Sequence, residues 1–329
     1  MPPRITIITP SFQQAEFIEE TIASVLSQKY ENLEFFVVDG GSTDQTVEII
    51  HRYASFIDWW VSEKDSGQSD AINKGLQRAT GEIITWLNSD DILLPNALNT
   101  VADIFERNPD AWVVHGKTRL FGKGFPTTDK GAPLPCPEEL YLAKLAFPQP
   151  STFFSRAALQ NTGLLDTSLH YGMDYDFFLR MYLLRGEFIA TEAVLSGYRL
   201  HKSAKGIALQ SQFAQEYARV FAQLLHSLPV EKKLMELALQ ADLPLHIVKK
   251  TYPIQRQICS EKLQLALFEN ALARLTFLYE ALSLSEAKKL AHFLQKNAPA
   301  FCQKYPEIHQ IAWRSSLPSW LIGWMRCFR

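Results

Sequence analysis

The sequence has few of the features that mark specialised proteins. Its four cysteines, Cys136, Cys259, Cys302 and Cys327, are scattered and form no CxxC pair. Zinc and dithiol-redox chemistry are therefore poor readings, and a reducing compartment is expected. No window of about 18 uncharged apolar residues occurs, so no transmembrane helix is expected. There is no basic cluster, and the net charge is −2, so no nucleic-acid partner is expected. The start shows no charged segment followed by an apolar stretch, which argues against a secretory signal. The expected location is cytoplasmic, or peripheral at the inner face of a membrane. Internal repeats and low-complexity tracts are absent too. What remains is an ordinary globular composition, 47% hydrophobic and 21% charged over 329 residues. That is enough for a sizeable core and about two domains.

Strand and helix signals alternate through the first half. Ile5–Thr9 is a β-branched run, and residues 15–28 carry Ile18, Ile22, Val25 and Leu26 at helical spacing. Leu33–Val38 is a second strand, followed by Asp39-Gly-Gly-Ser-Thr-Asp44. Ser42 with Gln45 reads as a capping box for the next helix. Trp59–Val61 is a third strand, and Ser66 is a candidate cap for a helix to Ala79. Glu82–Leu87 is a fourth strand, Asn96–Arg107 a helix and Ala111–His115 a strand. Gly122–Pro137 is irregular, as functional or mobile loops are. Ser151–Phe154, the helical Tyr175–Leu184 and a last strand Ala193–Leu200 complete the pattern. Such alternation predicts an α/β fold with a parallel, doubly wound sheet over residues 1–205. Residues 206–329 read as a helical region, with Leu263, Leu267, Ala271, Leu275 and Leu278 in helical register. Its end, residues 311–329, combines three tryptophans with three arginines. Two readings stand: a peripheral membrane contact through Trp320, Leu321, Trp324 and Phe328, or a terminal helix, interrupted at Pro318, on its own core.

The densest chemistry is Asn88-Ser89-Asp90-Asp91, placed directly after the apolar fourth strand. Acids at the end of a buried strand are costly unless they meet a cation or donors, and that strand end is where ligands bind open α/β sheets. Mg²⁺ and Mn²⁺ favour carboxylate oxygen and bridge to phosphates. An Asp pair capping the next helix would explain the residues equally well. Asp39, before two glycines, suits a base or ribose contact, or simply a turn. Thr9-Pro10-Ser11-Phe12 ends the first strand on the same edge, where Phe12 suits packing on a base. Asp70, Asn73 and Lys74 share one helical face near a helix start, a favourable place for phosphate. The alternative there is a solvated Asp70–Lys74 pair. Asp174, beside apolar neighbours, suits a general base or a cap; Asp176 suits helix support. His201 suits a metal or phosphate ligand, or a structural role.

Taken together, these motifs resemble family 2 glycosyltransferases with the GT-A fold. Those that match are Thr9–Phe12, Val38–Asp44, Asp70–Gly75, Asn88–Asp91, Asp174–Asp176 and His201, in order across residues 4–205. The resemblance implies inverting, metal-dependent transfer of a sugar from a nucleotide-sugar donor, a UDP-sugar foremost, to a carbohydrate, lipid-linked or protein-linked acceptor hydroxyl. It implies that Asp39 contacts the base beside Pro10–Phe12. Asp70 and Lys74 would line the donor pocket, Asn88-Ser89-Asp90 would match the DxD motif, and Asp91 would sit near the donor sugar. Asp90 would bind Mn²⁺ or Mg²⁺ with help from His201, and Asp174 would be the base. Asn88 stands where the motif has its first acid, which removes a charge. Met173 stands where the family often has Glu. A catalytically silent GT-A binding module is the alternative of another class. A sugar nucleotidyltransferase is a third, disfavoured because Thr9–Phe12 is neither glycine-rich nor basic.

Overall fold

Four parallel strands form one side of the sheet, with β3 at its edge: β1 (Ile5–Ser11), β2 (Leu33–Asp39), β3 (Trp59–Ser62) and β4 (Ile83–Trp86). They lie in the order β3–β2–β1–β4, so β1 has a neighbour on each side. All seven residues of β1 are buried. This is why its sequence is a continuous apolar and β-branched run rather than an alternating one. The computed structural model describes residues 1–201, 209–248, 250–317 and 322.

Beyond β4 the sheet is mixed, which corrects the expectation of a parallel sheet throughout. β8 (Thr152–Ser155) runs antiparallel to β4 and to β6 (Ala111–Phe121). β9 (Glu187–Arg199) is parallel to β6. Two short strands escaped the sequence pattern. β5 (Ile92–Leu93) follows the acidic motif at once and pairs antiparallel with β9; β7 (Thr128–Lys130) lies within the irregular segment and pairs with β6. β6 and β9 are both longer than their apolar cores suggest.

Helices cover both faces. On one, α1 (Ile18–Leu26), α2 (Thr46–Arg52) and α4 (Ala97–Arg107) bury Ile22, Val25, Ile50 and Val101 against Ile7 and Val37. On the other, α3 (Gln68–Arg78) approaches β1 so closely that a Cβ on Gly75 would meet Ile8 Cγ2 at 2.5 Å. Trp86, the register partner of Ile8, stacks on Phe178 of α7 (Met173–Leu183), with centroids 5.8 Å apart. In sequence, α5 (Glu138–Ala143) and α6 (Arg156–Thr162) fall between α4 and α7.

Several caps differ from expectation. Ser42 donates to Asp39 instead of capping α2, and Asp44 Oδ1 accepts the Thr46 N–H. Gly67, at φ +113°, precedes α3; Asp70 accepts the Ser66 N–H, and Asp65 that of Gly67. α4 begins after Asn96, so the Asp90–Asp91 pair does not cap it.

The chain divides into two units. One comprises Met1–Cys136 and Leu145–His201; the other comprises Pro137–Lys144 and the chain beyond His201. α5 therefore belongs with the helical unit, although its sequence lies inside the range 1–205. The helical unit is centred on α10 (Ser260–Glu280), packed by α5, by α8 (Gln210–His226) and by α11 (Leu284–Asn297). α9 (Lys232–Gln240), α12 (Pro299–Lys304) and α13 (Glu307–Arg314) complete the helices named here. Leu263, Leu267, Ala271, Leu275 and Leu278 are all buried, as their spacing predicts. No described helix is long and apolar enough to cross a membrane. Trp320, Leu321, Trp324 and Phe328 lie outside the described residues.

Candidate active site

The carboxyl ends of β1, β2 and β4 bring the sequence motifs to one edge. Ser11 and Asp39 are register partners there. Asp39 is fully buried, and its Oδ2 accepts the N–H groups of Gly41 and Ser42 and the Ser62 hydroxyl, at 3.1, 2.8 and 2.7 Å. Its Oδ1 accepts the Ser42 hydroxyl at 2.5 Å. A carboxylate buried this way organises its own turn, as the turn reading holds. Gln13, at φ +54°, stitches the β1 loop to the same turn through Ser42 and Thr43. Phe12 at the apex remains 59% exposed. The hydroxyls of Thr9 and Ser11 are buried without hydrogen-bond partners.

After β4, the segment Asn88–Asp91 turns sharply, with the Asp91 N–H donating to the Asn88 carbonyl at 3.0 Å. Ser89 is buried. Asn88 Oδ1 accepts from Gln68 of α3 at 2.7 Å, and its Nδ2 lies 3.4 Å from Asp91 Oδ2. Asp91 is only 1% exposed, and its Oδ1 accepts the Arg199 N–H. Burial first, and the Asp90 charge second, raise its pKa well above the usual carboxylate range. This differs from an open contact with a donor sugar: the side chain is committed beneath the loop. Asp90 points the other way, with its side chain 23% exposed. Its Oδ2 lies 3.1 Å from His201 Nε2. Among the described residues its Oδ1 accepts no hydrogen bond, so one carboxylate oxygen stays open for a ligand.

α7 presents Asp174 in its first turn, where the helix dipole favours a carboxylate. Trp86 links this helix to the acidic loop, because Phe177 and Phe178 both pack on it. Asp176 is buried and paired with Arg180 at 2.9 Å, in the supporting role expected of it. Met173 accepts the Ser69 hydroxyl through its sulfur and so docks α7 on α3. Tyr198 lies on β9 beside Arg199. Burial raises its phenol's pKa, and Asp91, Asp90 and Asp174 add to the rise in that order.

Two residues on α3 are placed differently from expectation. Lys74 pairs with Glu63 at 2.7 Å rather than with Asp70, and that bond raises its pKa. Asn73 exchanges hydrogen bonds with the backbone of Leu165 in both directions.

The sequence profile described as Glycosyl transferase family 2 matches residues 6–165. An uncharacterized glycosyltransferase of Mycobacterium tuberculosis, Rv1514c, is 30% identical over 191 residues, covering 55% of this chain and 70% of that protein. The chain belongs to glycosyltransferase family 2. Its fold is shared with S. aureus TarS 1–349 in complex with UDP, at 18% identity and a TM-score of 0.57, over 89% of this chain and 92% of that one. This glycosyltransferase spans 54% of the longer TarS chain. The mannosyltransferase PcManGT from Pyrobaculum calidifontis, in complex with GDP-Man and Mn²⁺, superposes at 21% identity and a TM-score of 0.58, over 96% and 85% of the two chains. The mixed α/β sheet with its helical C-terminal region is thus the fold class expected from the motifs.

For a divalent cation, the glycosyltransferase offers a sparse set. Among the described residues no group of three or more His, Cys, Asp or Glu is gathered to hold an ion. Asp90 and His201 are two, and an open Asp90 oxygen beside an imidazole fits a cation completed by diphosphate and water. Arg199 and Tyr198 are site residues that sequence reasoning did not assign. Their only signal was adjacency to His201 at a strand end.

Proposed function

We propose that this glycosyltransferase moves a sugar from a nucleoside-diphosphate sugar, a UDP-sugar foremost, to an acceptor hydroxyl with inversion at the anomeric carbon. The carrying observation is a pair of carboxylates of different kinds: Asp90 on the loop after Trp86, and Asp174 on the helix that packs on Trp86. Asp90 is half-open and beside His201; Asp174 stands at the start of α7. One serves the diphosphate end of the donor and the other the proton.

In this reading Thr9, Pro10, Ser11 and Phe12 receive the nucleoside, and the buried Thr9 and Ser11 hydroxyls supply unspent hydrogen-bonding capacity. Asp39 contributes through Oδ1, which holds one protein donor where Oδ2 holds three. Asp70 and Lys74 line the donor pocket, with Glu63 the partner that a diphosphate displaces at Lys74. Asn88 and Ser89 shape the loop. Asp90 and His201 would hold Mn²⁺ or Mg²⁺, which supplies positive charge against the charge that develops on the leaving diphosphate. Asp174 accepts the proton of the acceptor hydroxyl as its oxygen forms the new bond to the anomeric carbon. The carbon–oxygen bond to the diphosphate breaks on the opposite side, so configuration inverts. Asp91 supports the loop from below. UDP is bound by one protein of this fold and GDP-Man by another, which supports a nucleoside diphosphate as the common element.

The test is calorimetric titration with UDP, GDP and dTDP, with and without Mn²⁺, beside Asp90→Ala and Asp174→Asn. The expected result is Mn²⁺-dependent binding of one nucleotide that Asp90→Ala loses and Asp174→Asn retains. Asp174→Asn should instead lower kcat by roughly 10²–10⁴-fold, the usual worth of a general base. A folded wild-type protein that binds no nucleotide would refute the reading.

A further inference from the structure

We propose that Arg199 is a positioning residue that fixes Asp90 for metal-dependent donor binding. The inference rests on the function proposed above and assigns a further residue to that site.

Arg199 is held at several points. Its main-chain N–H donates to Asp91 Oδ1 at 3.1 Å. Its Nε–H donates to the Asp90 carbonyl at 3.0 Å. A terminal nitrogen meets Glu20 Oε2 at 2.6 Å. The guanidinium lies over the rings of Phe17 and Phe121, at 5.1 and 4.6 Å from their centroids. The side chain is 14% exposed, against 57% for Glu20. An ion pair with so exposed a partner stabilises little. The Glu20 contact therefore orients the guanidinium rather than explaining its burial.

The geometry explains what the burial is for. His201, two residues along the same strand end, meets Asp90 Oδ2 and packs its ring on Phe17 with centroids 4.7 Å apart. Arg199 and His201 thus grip Asp90 at its carbonyl and at its side chain. Phe17 backs both of them. Among the described residues no other donor reaches the Asp90 carbonyl. The bond at the carbonyl restrains the Asp90 backbone and the His201 contact restrains its carboxylate, so together they limit where Oδ1 points. A two-ligand protein site depends on that direction, because a cation that also binds diphosphate accepts little misplacement.

Lysine cannot replace this residue. An ammonium is a point charge that cannot donate sideways to a carbonyl while stacking between two rings and meeting a carboxylate at its end. Outer-sphere partners of metal ligands typically set metal affinity by about 10–100-fold.

The test is titration with the nucleoside diphosphate that the wild type binds, from UDP, GDP and dTDP, with and without Mn²⁺. It uses the full chain and Arg199→Lys. The expected result is a loss of about tenfold or more in the Mn²⁺-dependent affinity, with metal-free affinity changed by less than about twofold. Phe121→Leu, which loosens one face of the guanidinium, should shift the same quantity by a few-fold. Arg199→Lys that binds with Mn²⁺ as tightly as wild type overturns the proposal. So does an equal loss with and without metal, which a merely structural role would give. Should Arg199→Lys fail to fold, an unchanged Mn²⁺-dependent affinity in Phe121→Leu overturns it. A wild type that binds nucleotide only without metal refutes this proposal alone. A wild type that binds none refutes the functional reading with it.

Discussion

His115 shows how one buried side chain ties stability to pH. It lies on β6, 1% exposed, stacked on Phe147 with centroids 4.4 Å apart and planes 14° from parallel. Burial disfavours the imidazolium and lowers its pKa to about 4. In the unfolded chain the group titrates near its ordinary value of about 6.5. Between those values the unfolded state binds more protons, so stability falls as pH drops through that window and is complete above it. The loss at pH 5 is about 2 kcal/mol, from the gap between pH 5 and the unfolded value. His115→Phe should lose less stability between pH 7 and pH 5 by about that amount. Urea unfolding of both proteins at the two pH values checks it, and equal losses would refute it. The absolute cost of the substitution cancels in this comparison. At the same scale, the residue types of the site were legible in the sequence, but their partners were not. Spacing along a helix reveals only neighbours on that helix. It offered Asp70 to Lys74, whereas the fold offers Glu63. It grouped Asn73 with them, whereas the backbone of Leu165 occupies Asn73. The burial of Asp91 was equally invisible, because adjacent acids in a turn take opposite directions that only the tertiary fold decides.

At the scale of elements, the close approach of α3 to β1 sets where Gln68 and Asp70 stand. Gly75 makes it possible. A Cβ there would lie 2.5 Å from Ile8 Cγ2 and 2.8 Å from Cγ1, and Ile8 is fully buried. Alanine in a helix is intrinsically favoured over glycine by about 1 kcal/mol. Overpacking a filled core costs about 1–3 kcal/mol. The clashing atoms branch directly from Ile8 Cβ and cannot swing away, so the packing cost wins. Gly75→Ala should lower thermal stability and weaken nucleotide binding, since α3 must move outward and draw Gln68 away from Asn88. A rise in Tm would show the helix has room to shift. The long elements were readable for the reason that makes them stable: β1, β2 and α10 bury strongly patterned apolar residues. β5 has two residues, and β7 has three that are all exposed. Neither offers a period to detect; backbone pairing to β9 and β6 defines them. Site positions on β9 were missed for a related reason. Arg199 matters through hydrogen bonds with chain more than a hundred residues earlier.

For the molecule as a whole, the path of the chain matters more than a single boundary near residue 205. The helical unit takes α5 from the middle of the α/β sequence. Leu142 and Ala143 are buried in it. Lys144 pairs with the buried Glu269 at 3.0 Å, and Asn270 donates to the Ala143 carbonyl at 2.8 Å. Glu138 also pairs with Lys262. A chain ended at residue 205 keeps α5 but loses α10, which carries every one of those partners. Burying a leucine side chain is worth about 1.5–3 kcal/mol, and an isolated helix of six residues is far below the length that holds itself together in water. The segment 137–144 should therefore unfold in the truncated protein while the sheet persists, because β1, β4, β6, β8 and β9 all lie before the cut. Hydrogen exchange resolves the two effects. Amides of 138–143 should lose their protection on truncation, and those of β1 and β2 should keep theirs. Retained protection at 138–143 would mean that the α/β unit alone holds α5. Loss of protection in β1 as well would mean that the two units fold only together.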